Sequence, residues 1–321
     1  MTRYRVAIVG LGHIGWLADR DPLRPKPASH VSAWQLCPRA KLVAVCDKNY
    51  ERAMEVGQTH ALEWQVWPPA MFNVAQCDIV SVATPPETHR EVVETCARYK
   101  VPLVICEKPI ATTIKDAEAM MEMCQSSGTI LLVNHGRRFH PMIQSVKAEL
   151  DRGRIGRPLS AVGVCSGGLW SGASHMVDLL RWFLGEVTSV VGYRRGPCSE
   201  DGSEAGYDGH LTFGGVAATL HAVDIRRYVQ FSLTVFGEDG ILVLDEAGLR
   251  ARWGQAEASY PLAGGYRHVV ADDGVQAIPT TFLGEMAAHA VRVLDGTETP
   301  LCTGEDGLAA VRVLEALEAS A

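Results

Sequence analysis

His175 and Asp178 stand three residues apart in a stretch, Ser174–Leu184, whose apolar spacing predicts a helix, so both fall on one face. An imidazole opening a helix beside an acid suits a general base. The same pattern fits a histidine satisfied inside a fold. The loop before it, Gly167-Gly168-Leu169-Trp170-Ser171-Gly172, brings bare backbone close to some other group. Near the start, Gly10-Leu11-Gly12-His13-Ile14-Gly15 directly follows an apolar run. Its glycines offer a tight turn, close approach to a pyrophosphate and close helix–strand packing. Phosphates then rest on the free N–H groups of a helix N-terminus; a purely structural turn can carry the same residues. Asp47 closes the second apolar run, where a carboxylate binds ribose hydroxyls and repels a 2′-phosphate. NAD is therefore favoured, and the neighbouring Lys48 leaves NADP open.

Glu107-Lys108-Pro109 ends another apolar run. Ligands of open α/β sheets bind outside the carboxyl ends of the strands, which places Lys108 at the crevice. A solvated lysine at a strand end is the plain alternative. Thr84-Pro85-Pro86 with His89 closes a further run, near where a nicotinamide or its ribose lies. A proline pair can equally just stop a strand and start a helix. No third ligand joins His175 and Asp178, and neither H-E-x-x-H nor G-x-S-x-G occurs, so no metal and no serine nucleophile is expected.

These residues need a frame that presents strand ends. Apolar runs at 5–9, 41–46, 78–83, 102–106 and 130–133 alternate with helical patterns at 29–37, 50–57, 87–99 and 113–126. Continuous Val/Ile-rich runs suit strands buried on both faces, and the alternation predicts a doubly wound parallel α/β domain over 1–134. Asp47 lies 32 residues past Gly15; the segment 19–26, with Pro22, Pro25 and Pro27, reads as an inserted loop that absorbs the excess. It is expected to form a mobile flap beside the cofactor cleft. Beyond a helix at 141–152 the texture changes. Runs at 160–164, 187–193, 209–213, 216–222, 229–236 and 240–244 follow one another with Gly-rich turns, which predicts a large, mostly antiparallel sheet. Helices at 174–184, 281–294 and 305–318 complete an α+β domain over 135–321.

The chain has 321 residues, enough for two domains, and 30 basic against 37 acidic residues give a net charge of −7. An acidic chain with no basic block is a poor match for nucleic acid or an anionic membrane. No apolar run reaches the ~18–20 residues of a bilayer span, and the first residues lack a signal-peptide core. Nine cysteines without a C-x-x-C pair argue against a disulfide framework, so a cytoplasmic setting is expected.

The chain resembles the Gfo/Idh/MocA oxidoreductases, the glucose–fructose oxidoreductase and inositol dehydrogenase family. The likeness rests on the Gly10–Gly15 turn, Ala83-Thr84-Pro85-Pro86 with His89, Glu107-Lys108-Pro109-Ile110, and Arg138-Phe139 with Pro141. It continues through Gly167-Gly168, through His175 and Asp178 leading into Leu179-Leu180-Arg181-Trp182, and through Phe236-Gly237-Glu238-Asp239-Gly240. It ends in Gly304-Glu305-Asp306-Gly307. The resemblance implies an N-terminal Rossmann domain holding NAD, with NADP possible, and a C-terminal sheet used for a homodimer or homotetramer. It implies hydride transfer between nicotinamide and a carbinol carbon of a sugar, sugar derivative or cyclitol. Lys108 would hold the reacting oxygen and His175 would exchange its proton. Gly10, Gly12, His13, Ile14, Gly15, Asp47, Thr84, Pro85, His89, Glu107 and Lys108 would face the cofactor. His135, Arg138, Ser171 and Asp178 would face the substrate. Two departures stand out. Ser171 occupies a position where relatives commonly have Asp, and His135-Gly136 replaces a common Tyr-Asn. An NAD-dependent glycoside hydrolase of the same family, or a cofactor-binding protein without turnover, are the other classes.

Overall fold

A computed structural model describes residues 3–258, 266–272, 274–276 and 282–321. Six strands, β1 (Tyr4–Val9), β2 (Ala40–Cys46), β3 (Glu63–Gln65), β4 (Ile79–Val82), β5 (Leu103–Glu107) and β6 (Ile130–Asn134), form one sheet. It is parallel throughout, in the order β3-β2-β1-β4-β5-β6. All carboxyl ends share one edge, and the order reverses between β1 and β4, where a crevice opens. The helices between strands are α1 (His30–Leu36), α2 (Tyr50–His60), α3 (Pro68–Val74), α4 (His89–Arg98) and α5 (Ile114–Ser127). Val6, Ile8, Ile79, Val80, Leu103 and Ile105 are fully buried, as strands covered on both faces must be.

The first helix is not continuous with the glycine turn. Trp16 and Ala18 donate to the carbonyls of Gly12 and His13, and one short turn, Leu17–Arg20, follows. The chain then leaves, and His30 and Val31 donate to the carbonyls of Ile14 and Gly15. That is sixteen positions back, where an unbroken helix reaches four. About a dozen residues are thus looped out of a single helical frame. Asp19 closes the loop at its base, accepting from the Ala28 N–H and from the hydroxyls of Ser29 and Ser32. Lys26 caps the carbonyls of Asp19 and Asp21. Hydrogen bonds thus close the excursion at its base.

The remaining elements are α6 (Pro141–Asp151), β7 (Pro158–Ser166), α7 (Ser174–Leu184), β8 (Ser189–Pro197), β9 (Ala205–Phe213), β10 (Val216–Val223), β11 (Phe231–Gly237) and β12 (Gly240–Asp245). After them come β13 (Arg250–Ala258), β14 (Arg267–Ala271), β15 (Val275–Gln276), α8 (Phe282–Leu294) and α9 (Gly304–Ala319). Strands β7 to β15 build the second sheet, in the order β14-β13-β12-β11-β7-β10-β9-β8 with β15 on β13. It is antiparallel except where β7 runs beside β10. The helix expected at 281–294 is present from Phe282; residue 281 lies outside the described residues.

A single break at 134/135 does not describe the chain. One compact unit comprises Met1–His140 and Pro279–Val311, the other Pro141–Ile278 and Arg312–Ala321. The returning segment fills the first unit physically. The Val133 N–H donates to the Cys302 carbonyl, Tyr4 and Arg39 bind the Asp295 carboxylate, and the Phe139 ring lies against His289. A Cβ on Gly307 would come within 2.8 Å of Val133, so helix α9 starts flush against the sheet. Its tail serves the second unit in the same way, with a Cβ on Gly192 only 2.0 Å from the Leu317 carbonyl oxygen. No helix among the described residues is long and apolar enough to cross a membrane.

Candidate functional site

At the carboxyl edge of β1 each glycine of the turn has a distinct surrounding. Gly10 has φ +97°, and a Cβ there would sit 2.5 Å from the carbonyl of Ala83 at the end of β4. A Cβ on Gly15 would lie 2.1 Å from the Gly10 oxygen. At Gly12 a Cβ would meet nothing within 4 Å, because Gly12 borders a cavity of about 340 Å³. Asp47, Lys48, Arg52, Trp67 and Thr84 line the same cavity. The Thr84 hydroxyl is buried and has no hydrogen-bond partner among the described residues. An open cradle of backbone beside an unsatisfied hydroxyl fits the phosphates and ribose of a dinucleotide. Gly12→Ala should leave the melting temperature unchanged, since the new methyl touches nothing. NAD affinity should fall about tenfold or more, each decade being 1.4 kcal/mol of lost contact. An unchanged affinity in a fluorescence titration would place the phosphates elsewhere.

Asp47 is nearly buried. Its Oδ2 accepts from the Leu11 N–H at 2.7 Å and lies 3.5 Å from Arg52 Nη1, while Oδ1 accepts from the Asn49 N–H. The carboxylate thereby fixes the glycine turn to the end of β2. His13 is exposed, Ile14 half-buried, and both lend carbonyls to the helical frame. Pro85 lines the cavity beside Thr84.

Two residues expected against the cofactor are spent on the protein itself. His89 is fully buried, with Nε2 2.9 Å from the Thr84 carbonyl and Nδ1 3.0 Å from that of Pro109 and 3.1 Å from that of Ile110. It ties the loop after β4 to the loop after β5. Glu107 turns inward, its Oε1 accepting from His30 Nε2 at 2.8 Å and Asn134 Nδ2 at 2.6 Å. Its Oε2 accepts from the Lys108 N–H at 3.3 Å. Burial alone raises the Glu107 carboxyl, but the His30 hydrogen bond and charge, Asn134 and Lys108 together hold it below its usual value. The Nδ1 of His30 is buried without a partner among the described residues. Lys108 itself, half-buried, starts from this anchored point at the sheet's carboxyl edge.

Among the residues expected to meet substrate, Arg138 is 3% exposed and binds the Leu301 carbonyl at 3.2 Å and the Asp306 carboxylate at 3.0 Å. This pairing gives it a structural part in the first unit. His135, just after β6, is buried. In the second unit His175 is half-buried on the first turn of α7, and Asp178 is buried. A wider helical turn, Leu169–Ala173, precedes α7, with the Ala173 N–H reaching the Gly168 carbonyl. The Ser171 hydroxyl accepts from the Gly168 N–H at 3.0 Å. The group that the glycine loop approaches is Glu204, whose Oε2 accepts from the N–H groups of Trp170 and Ser171, both at 3.0 Å. Sequence reasoning missed Glu204, which sits in an ordinary polar turn. It also missed His30, which the inserted loop separates from the glycines. Among the described residues no cluster could hold a metal ion.

Residues 4–135 match the family model described as "Oxidoreductase family, NAD-binding Rossmann fold", and residues 143–243 match "GFO/IDH/MocA C-terminal domain". A D-apiose dehydrogenase of Paraburkholderia graminis is 32% identical over 209 residues, 60% of this chain and 52% of that protein. The scyllo-inositol 2-dehydrogenase (NAD(+)) of Bacillus subtilis is 29% identical over 207 residues, 60% of this chain and 57% of its own length. The chain thus spans little more than half the length of these curated relatives. Among solved structures, the WlbA dehydrogenase of Bordetella pertussis, in complex with NADH and UDP-GlcNAcA, superposes with a TM-score of 0.78 at 22% identity. The match covers 99% of this chain and 96% of that one. An oxidoreductase of Agrobacterium radiobacter, in complex with NAD+, L-tartaric acid and magnesium, gives 0.76 at 23% identity, with the same coverage. These two share the fold. With both family models matched across its two halves, the chain belongs to the Gfo/Idh/MocA family of NAD-binding Rossmann-fold oxidoreductases.

Proposed function

We propose that the chain moves a hydride between a nicotinamide cofactor and a carbinol carbon of a sugar, sugar derivative or cyclitol. The observation that carries this reading is the glycine cradle, open at Gly12 and flanked by the unsatisfied Thr84 hydroxyl. When bound, the nicotinamide supplies the two-electron step. The chain's own residues do the rest. Backbone N–H groups of the 10–15 turn hold the pyrophosphate, and Asp47 accepts from the ribose hydroxyls. Lys108 holds the reacting oxygen and stabilises negative charge as its proton leaves. His175 takes that proton in oxidation and returns it in reduction. The polyol class is supported by the names of the relatives. Incubation with NAD and a panel of inositols, D-apiose and other aldoses should produce NADH with at least one of them. A chain that binds NAD but oxidises none, and reduces none of the matching ketones, overturns the reading. Glycoside cleavage without net NADH would point to the hydrolytic branch.

NAD(H) should bind more tightly than NADP(H), because the Asp47 carboxylate repels a 2′-phosphate. Lys48 and Arg52 border the same cavity. Asp47→Ser should therefore move the preference toward NADP(H) by about tenfold or more, equivalent to 1.4 kcal/mol. Quenching of Trp67, which is 59% exposed at the cavity, can follow both titrations. Wild-type protein that prefers NADP(H) would show that Lys48 and Arg52 govern the ribose.

The second sheet is our candidate surface for a homodimer or homotetramer, since Tyr193, Phe236, Val269 and Val270 on its strands are exposed. A cytoplasmic setting accords with nine free cysteines.

A further inference from the structure

We propose that Glu204 is a positioning residue for His175, clasping the turn before α7 by accepting from two of its backbone N–H groups. The first N–H groups of a helical run have no partner within it. In the run that begins at Leu169, two of those groups, on Trp170 and Ser171, converge on one oxygen, Glu204 Oε2, at 3.0 Å each. One acceptor thereby satisfies two donors that the helical run itself leaves open.

The fit is built from both sides. A Cβ on Gly168 would lie 2.2 Å from the Glu204 Cβ and 2.3 Å from Oε2, so only glycine admits the carboxylate here. Glu204 in turn rises from a pinned loop. Its N–H donates to Ser199 Oγ, and its carbonyl accepts from the N–H groups of Cys198 and Ser199. Asp201 gathers the Ser199 hydroxyl and the N–H and hydroxyl of Ser203. The hydroxyl at 171 accepts from the Gly168 N–H, within the same turn. Residues 171 and 175 are four apart in one helical run, so a rotation of the clasped turn is carried directly to the imidazole.

The clasp does not depend on the proposed function; only its effect on turnover rests on that reading. The test compares wild type, Glu204→Ala and Glu204→Gln by hydrogen exchange over 167–178 and by the NMR resonance of the His175 ring. Glu204→Ala should speed exchange of the 170 and 171 amides at least tenfold and move the ring resonance, with exchange in the six-stranded sheet unaltered. Glu204→Gln, whose single carbonyl oxygen can accept from both N–H groups, should restore both signals. With a substrate in hand, kcat should fall in Glu204→Ala and recover in Glu204→Gln at constant NAD affinity. If Glu204→Ala fails to fold, Glu204→Asp, one methylene short, should show the same loss. Exchange and ring signals like wild type in the alanine or aspartate variant overturn the proposal. So does faster exchange with an unmoved His175 resonance, or a glutamine variant that behaves as alanine.

Discussion

Replacing His175 by alanine is expected to lower turnover about 10²–10⁴-fold, the range for loss of a general acid–base group. NAD affinity should not change, because the cradle is built entirely from the first unit while His175 belongs to the second. Hydride departure from a carbinol requires its hydroxyl proton to leave, and an imidazole is suited to take it near neutral pH. Lys108→Ala should cost at least as much, since the alkoxide would lose its fixed positive charge. It should also weaken cofactor binding, because Lys108 stands at the same sheet edge as the cradle. Near-normal turnover in His175→Ala on a substrate that wild type oxidises would remove the histidine from the mechanism.

His30→Ala is expected to destabilise the fold by about 1–3 kcal/mol, the cost of leaving a buried acceptor short of a hydrogen-bond partner. Glu107 would retain Asn134 and the Lys108 N–H, too little to replace a partner at 2.8 Å in a site closed to water. The pH dependence has a definite sign. The Glu107 carboxyl is held below its usual value in the folded chain. Its contribution is therefore fully present above the unfolded value of about 4.3, and is lost as pH falls through the folded one. The deficit of His30→Ala should accordingly be larger above that unfolded value than well below it. Urea unfolding at neutral pH and at about pH 3 measures both. A variant within ~0.5 kcal/mol of wild type, the range of an ordinary surface substitution, would mean that the pair contributes little.

The frame of the first unit was legible because buried parallel strands leave continuous runs such as Val6–Val9 and Leu103–Cys106. The glycine turn was legible because its three positions each answer a separate steric demand. What a polar side chain faces was not. His89 and Arg138 have the types and places of ligand-binding residues, yet the structure gives them carbonyl and carboxylate partners from other parts of the chain. Nothing local distinguishes those uses. The segment 19–26 was legible as a loop from its prolines, but the two ends of the excursion meet on one helical frame through bonds from residues 30 and 31 back to 14 and 15. Periodicity cannot register that. Strands β13 to β15 went unseen because their residues, as in Arg250–Ala258, mix charged, small and aromatic types without clean alternation.

The interleaved units also set an order in time. Helix α8 packs on α1 and on the segment after β6, within the first unit. A ribosome completes the whole of 141–278 before it makes that helix. At roughly 5–20 residues per second the six-stranded sheet waits on the order of 7–30 s with part of its covering layer missing. During that interval the nascent sheet is exposed to chaperones and to wrong partners. A truncated chain ending near residue 140 would prolong that state indefinitely. A soluble version of the first unit therefore needs residues 282–311 restored, for instance by splicing them after 140 through a short flexible linker.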